Sequence, residues 1–159
     1  MNKKLFIIGT SIGIILVAVI VIILVSVKSK SGTMICTYTN KNTVYSIHTE
    51  YQINYKNNVV TKLKTIETIE SNDSKMLEEY KVSLEAIYSN YNKLKYYDNN
   101  VVIKNNKLTS TTNINYDKLD LEEWTKIDSN NKQLLVDDKV NYEKVKNIYI
   151  ENGAKCKSA

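Results

Sequence analysis

The 159-residue chain carries 22 Lys, no Arg and 17 acidic residues, for a net charge of +5, and its length fits one domain plus an appendage. Lys3, Lys4, Lys28 and Lys30 flank one hydrophobic segment, and without them 18 Lys face 17 acidic residues, a net of +1. Phosphate and base recognition favour the bidentate guanidinium of Arg, so the composition argues against nucleic acid as a partner.

Residues 5–27 contain no charged side chain. At about 1.5 Å rise per residue the segment reaches roughly 34 Å, enough to cross a hydrocarbon core of ~30 Å. It exceeds the roughly 7–15 residues of a signal-peptide h-region, and no A-x-A-like cleavage site follows. It therefore reads as an uncleaved transmembrane helix whose first partner is the lipid bilayer. Two Lys stand on each side, and the free α-amino group tips the balance towards a cytoplasmic N-terminus. The expected organisation is a cytoplasmic tail at 1–4, the helix at 5–27, a linker at 28–33 and an extracytoplasmic domain at 34–157, attached to the cell membrane by a single pass. Gly9 and Gly13 form a G-x-x-x-G pattern, a candidate helix-dimer contact.

Beyond the linker, Met34–Thr39 reads as a short strand. In Thr43–Tyr55, residues Tyr45, Ile47, Thr49, Tyr51, Ile53 and Tyr55 share one face by period-two alternation, as in a half-buried antiparallel strand. Lys56-Asn57-Asn58 reads as a turn, and Val59–Ile69 as the next strand. There Leu63, Ile66 and Ile69 fall out of step, which predicts a bulge. Asn72-Asp73-Ser74 offers N-caps for a helix over Lys75–Lys93, with Leu77, Tyr80, Leu84, Ile87, Tyr88 and Tyr91 at helical spacing. A second hairpin follows, Val101–Lys104 and Lys107–Tyr116 about an Asn105-Asn106 turn. The last third reads as short helices: Asp120 and Glu123 suggest a capping box, Asn141 a cap with Val140 and Val145 as a staple, and Gly153 a C-terminal stop. The pattern predicts an α+β fold, an antiparallel sheet packed on helices.

Cys36 and Cys156 bracket the domain. Such a pair predicts a disulfide in an oxidising compartment, the alternative being two unrelated buried thiols. Two cysteines and one distant His do not make a metal-ligand set.

Other constellations have a bland reading beside the chemical one. His48 is the one histidine and falls on the polar face of its strand. Phosphate-cradling loops need glycines that the domain lacks. Asp128–Gln133 has Lys132 and Gln133 where a calcium loop needs a ligand and a glycine. Asp117, Asp120, Glu122 and Glu123 could pair as catalytic carboxylates, but a capped, solvated first turn accounts for them. Tyr45, Tyr51 and Tyr55 could stack on a sugar or peptide, but such a face more often packs on a helix. No catalytic residue and no cofactor site emerges.

Three phrases, Cys36-Thr37-Tyr38-Thr39, the strand Leu108–Lys118 and the closing Glu151–Cys156, carry a resemblance. The domain resembles small extracytoplasmic proteins of low-GC Gram-positive bacteria, similar to the YehR-like lipoproteins. The resemblance implies a cell-envelope protein with a compact α+β domain, and it supplies no catalytic residue. Thr33-Met34-Ile35 before Cys36 lacks the small residues of a lipobox, so the hydrophobic helix is the expected anchor. The expected function is a non-enzymatic binding or envelope module. The rivals are an envelope-polymer hydrolase with a carboxylate pair and an accessory subunit of a membrane complex; the partner would be an envelope polymer or a membrane protein.

Overall fold

A computed structural model of the chain describes residues 30–159. The expected transmembrane helix over 5–27, with Lys3, Lys4, Lys28, Gly9 and Gly13, lies outside the described residues. Among the described residues, no helix is long and apolar enough to cross a membrane.

Six strands form one antiparallel sheet: β1 (Ser31–Lys41), β2 (Tyr45–Lys56), β3 (Val59–Ser71), β4 (Tyr97–Lys104), β5 (Lys107–Asn115) and β8 (Lys155–Ser158). Their order across the sheet is β4-β5-β3-β2-β1-β8. Helices α1 (Ser74–Tyr88), α2 (Leu121–Ile127) and α3 (Tyr142–Glu151) and a small hairpin, β6 (Leu135–Val136) with β7 (Lys139–Val140), complete the domain. β1 begins at Ser31, so residues 31–33 of the expected linker belong to the sheet.

The turns follow from asparagine and aspartate. Asn57-Asn58, Asn105-Asn106 and Asp137-Asp138 all have positive φ at both central residues, from 49° to 63°. These short polar side chains tolerate the left-handed region better than others, so each pair closes a two-residue hairpin. The predicted bulge lies earlier than the apolar pattern suggests. Asn54 pairs with Lys62 and Tyr55 with Val60, leaving Thr61 as the extra residue. Val60 and Leu63 are therefore both buried, and from Leu63 onward the odd positions of β3 face the same way as Ile53.

Helix α1 starts where predicted, with the Asp73 side chain accepting from the Met76 N–H at 3.0 Å. It ends at Tyr88, five residues before the expected Lys93. The Ser89 hydroxyl bonds back to the Ala86 carbonyl at 2.8 Å, and a 3-10 turn follows at Tyr91–Lys93. Such local side-chain bonds compete with helix continuation. Leu77 and Leu84 face the sheet, whereas Ile87 is 60% exposed and off the expected stripe. Asp120 caps α2 through bonds of 3.0 Å from the Glu122 and Glu123 N–H groups, and Asn141 caps α3 through Lys144 N–H at 3.1 Å. Val140 and Val145 are both buried, as a staple requires.

The core divides. The larger part gathers Met34, Ile53, Leu63, Ile114, Trp124 and Val145; the smaller gathers Ile69, Leu77, Leu84, Val101 and Leu108. Both lie on the helix-facing side of the sheet. Two tyrosine stacks fix α3 to β2, Tyr55 on Tyr142 at 4.0 Å and Tyr51 on Tyr149 at 4.1 Å.

The last strand escaped the sequence, because Lys-Cys-Lys-Ser has almost no apolar content. Its register places Cys156 opposite Cys36, and a disulfide joins them with 4.0 Å between the Cα atoms. In the chain-entropy picture, closing a loop of 120 residues stabilises the fold by about 4–5 kcal/mol.

Candidate functional site

Between the two core clusters a polar belt crosses the helix-facing side of the sheet. One row runs Thr49, Glu67, Ser110, and the next Tyr51, Thr65, Thr112, Asn99, each residue opposite the next on adjoining strands. Thr49, Ser110, Thr112 and Asn99 are all buried. Buried polar groups are costly unless bonded. The β4–β5 end satisfies this internally: Asn99 Nδ2 donates to Ser110 Oγ at 3.0 Å and to Thr112 Oγ1 at 2.8 Å. The Asn92 side chain then brackets the Asn99 backbone, accepting at 2.8 Å and donating at 3.1 Å.

The β2–β3 end is different. There Glu67 stands half-buried on the core side of its strand, and the ion pairs among the described residues leave it out. It lines an open cavity of about 320 Å³ between α1 and the end of α3. The other walls include Tyr38 of β1, Thr49 and Tyr51 of β2, Tyr80 of α1, and Tyr149 and Asn152 at the C-terminal end of α3. Burial lifts the Glu67 carboxyl above the usual carboxylate range, opposed by the Thr49 hydroxyl. The phenols of Tyr51, Tyr80 and Tyr88 are raised too, first by burial and then by the negative charge of Glu67. The shifts share one cause, the partial burial of a carboxylate and several phenols near one another.

Glu67 drew no attention in the sequence. The signal was present but displaced: restarting the alternation at Leu63 gives Leu63, Thr65, Glu67, Ile69, which sets a charged residue on the core face. The bulge at Thr61 hides that register.

The residues singled out by sequence are scattered. Cys36 and Cys156 meet in the disulfide, so Cys36 is not free to carry a lipid. Tyr45, Tyr51 and Tyr55 lie on the helix-facing side, as expected, and Tyr51 also lines the Glu67 cavity. His48 is exposed on the opposite face, with its Nδ1 3.0 Å from Thr39 Oγ1. Asp120 caps a helix, Glu122 pairs with Lys126 at 2.7 Å, and the Asp128 side chain accepts from the Asn130 N–H.

A second depression, of about 480 Å³, lies on the face of the sheet opposite helices α1, α2 and α3. The amides of Gln52, Asn54, Asn113 and Asn115 line it beside Tyr96, a bulky residue held at φ 73°. Asn115 Oδ1 is buried there without a hydrogen-bond partner.

No protein-family model and no curated protein matches the chain. Among solved structures, the domain is similar to that of the E. coli YehR protein, with a TM-score of 0.54 and 15% identity, over 80% of this chain and 91% of that one. A protein from Streptococcus pneumoniae TIGR4 aligns with a TM-score of 0.49 and 16% identity, over 82% and 87% of the two chains. At 15% identity the likeness to the E. coli protein speaks for the fold alone: the sheet and helices of the domain are arranged as in a YehR-like domain.

Proposed function

We propose that the protein is a non-enzymatic binding module, tethered to the cell membrane by the hydrophobic segment 5–27, that receives a small ligand in the Glu67 cavity outside the cytoplasm. The observation that carries the reading is Glu67 itself. A carboxylate on the core side of a sheet, half-buried and without an ion-pair partner among the described residues, costs stability. A leucine there would join the two halves of the core. A destabilising group at the wall of an open cavity is the mark of a binding position.

The extracytoplasmic placement draws on the disulfide, since such bonds persist outside the cytosol, and on the low-GC Gram-positive envelope proteins that the sequence resembles. Binding is favoured over a carboxylate-pair hydrolase because that chemistry calls for two acids, and the cavity wall carries Glu67 alone.

Two experiments test the proposal. A membrane-impermeant protease added to wall-stripped cells should digest the domain; survival until lysis would put it on the wrong side. Native mass spectrometry of the full chain taken from its own membrane should show a ligand mass that a Glu67→Leu variant lacks. Identical spectra for the two proteins would remove the binding role from this cavity.

A further inference from the structure

The Glu67 cavity also restricts what its ligand can be. Among the described residues, no lysine lines it. The polar groups beside Glu67 are the neutral Thr49 hydroxyl, the Asn152 amide and tyrosine phenols. An anion would meet Glu67 at close range, and a neutral sugar would leave the half-buried carboxylate without a counter-charge. A hard divalent ion takes six or more oxygen ligands, usually with several carboxylates. One carboxylate is on offer here, and the described residues hold no cluster of three or more His, Cys, Asp or Glu that could seat a metal. What remains complementary is a soft organic cation, which can pair with one carboxylate while its methyl or methylene groups lie against aromatic rings.

We propose that the cavity between α1 and α3 binds a small organic cation through its ammonium group, with Glu67 as counter-ion and Tyr38, Tyr51, Tyr80 and Tyr149 as the aromatic walls. The proposal rests on the binding role argued above. The walls suit the task unequally. Tyr51 and Tyr149 are stacked on each other at 4.1 Å, forming a rigid side anchored to both β2 and α3. Tyr80, between the buried Leu77 and Leu84 on α1 yet itself 36% accessible, is the wall that can yield to admit a ligand. An ammonium ion seated there also removes the cost of the lone charge, so binding should hold Glu67 ionised and be lost on its protonation.

The test uses the full chain in lipid nanodiscs and three probes: n-butylammonium, tetramethylammonium and the uncharged butan-1-ol. Binding is followed by calorimetry and by NMR shifts of the cavity residues. The expected result is saturable binding of at least one cation with shifts at Thr49, Tyr51 and Glu67, and butan-1-ol weaker by about tenfold or more. Glu67→Gln should weaken the cation by at least about tenfold while remaining fully folded, because it removes a charge that the fold does not need. Tyr80→Leu should weaken it severalfold. Butan-1-ol binding as well as butylammonium would overturn the ammonium assignment yet leave the cavity a ligand site. Cation binding unchanged in Glu67→Gln, or no cation binding at all, would overturn it outright.

Discussion

Glu67 shows how one residue can set the character of a domain. Its neighbours on the same face of β3, Leu63 and Ile69, are buried and apolar, and they belong to different core clusters. Replacing Glu67 by Leu should raise the unfolding free energy by about 1–2 kcal/mol in denaturant titration, since it removes a poorly solvated charge and adds apolar contact. The pH dependence has a definite sign. Folding raises the Glu67 pKa above its ordinary 4.5, so the folded state binds the proton more tightly than the unfolded chain. Stability from this group is therefore greatest below about 4.5 and falls as pH rises through the raised value. Glu67→Gln should lack this decline, and the difference between the two proteins isolates it from the other carboxylates. Gly153 is a second single-residue test. It sits at φ +87°, and an added Cβ would meet nothing nearer than the Tyr38 ring at 3.7 Å. Gly153→Ala should thus cost about 1 kcal/mol from backbone conformation and not from a clash, seen as a lowered Tm. The sequence made Gly153 legible, as a helix stop. Glu67 stayed hidden because its face is decided by one inserted residue, Thr61, whose effect is felt six positions later.

The strands and turns were the readable elements, and for a physical reason. The face carrying Tyr45, Ile47, Thr49, Tyr51, Ile53 and Tyr55 alternates without interruption because β2 lies inside the sheet, paired on both sides. The asparagine pairs announce their turns through their tolerance of positive φ. Helix α1 was less legible at its C-terminal end. Tyr91 continues the helical spacing, yet Asn92 holds the backbone of Asn99 in β4, a long-range bond that spacing cannot reveal. β8 was invisible as a strand, since backbone pairing to β1 and one disulfide define it. Its attachment can be measured directly. Alkylation without reductant should add no mass at Cys36 or Cys156. A Cys36→Ser, Cys156→Ser double variant should lose up to about 4–5 kcal/mol of stability, with amide exchange rising first in Lys155–Ser158. Two added alkyl groups on the untreated protein, or unchanged exchange in the variant, would contradict the tie.

Across the whole domain, a twisted sheet carries helices on one side and a polar face on the other, and its core is split by the polar belt from Thr49 to Asn99. Tyrosines bridge the split, and burial pushes the phenols of Tyr97, Tyr116 and Tyr149 far above their ordinary value of 10.0. These groups favour the folded state below pH 10 and work against it above, because the unfolded chain gives up their protons first. Ultraviolet titration should show them ionising together with loss of structure, after the exposed tyrosines. Separate, reversible ionisation of all twelve in a folded protein would be the opposite result. Both core clusters are built from residues of the 31–159 unit, so removal of residues 1–30 should leave a domain that unfolds cooperatively. The most direct measurement is the titration of the Glu67 carboxyl itself, by carbon-detected NMR on the full chain with and without butylammonium. The expected result is a midpoint above 4.5 in the free protein that falls when the cation is bound. A midpoint at or below 4.5, unmoved by the cation, would mean that Glu67 is an ordinary solvated carboxylate and that the cavity has no claim to the function given it here.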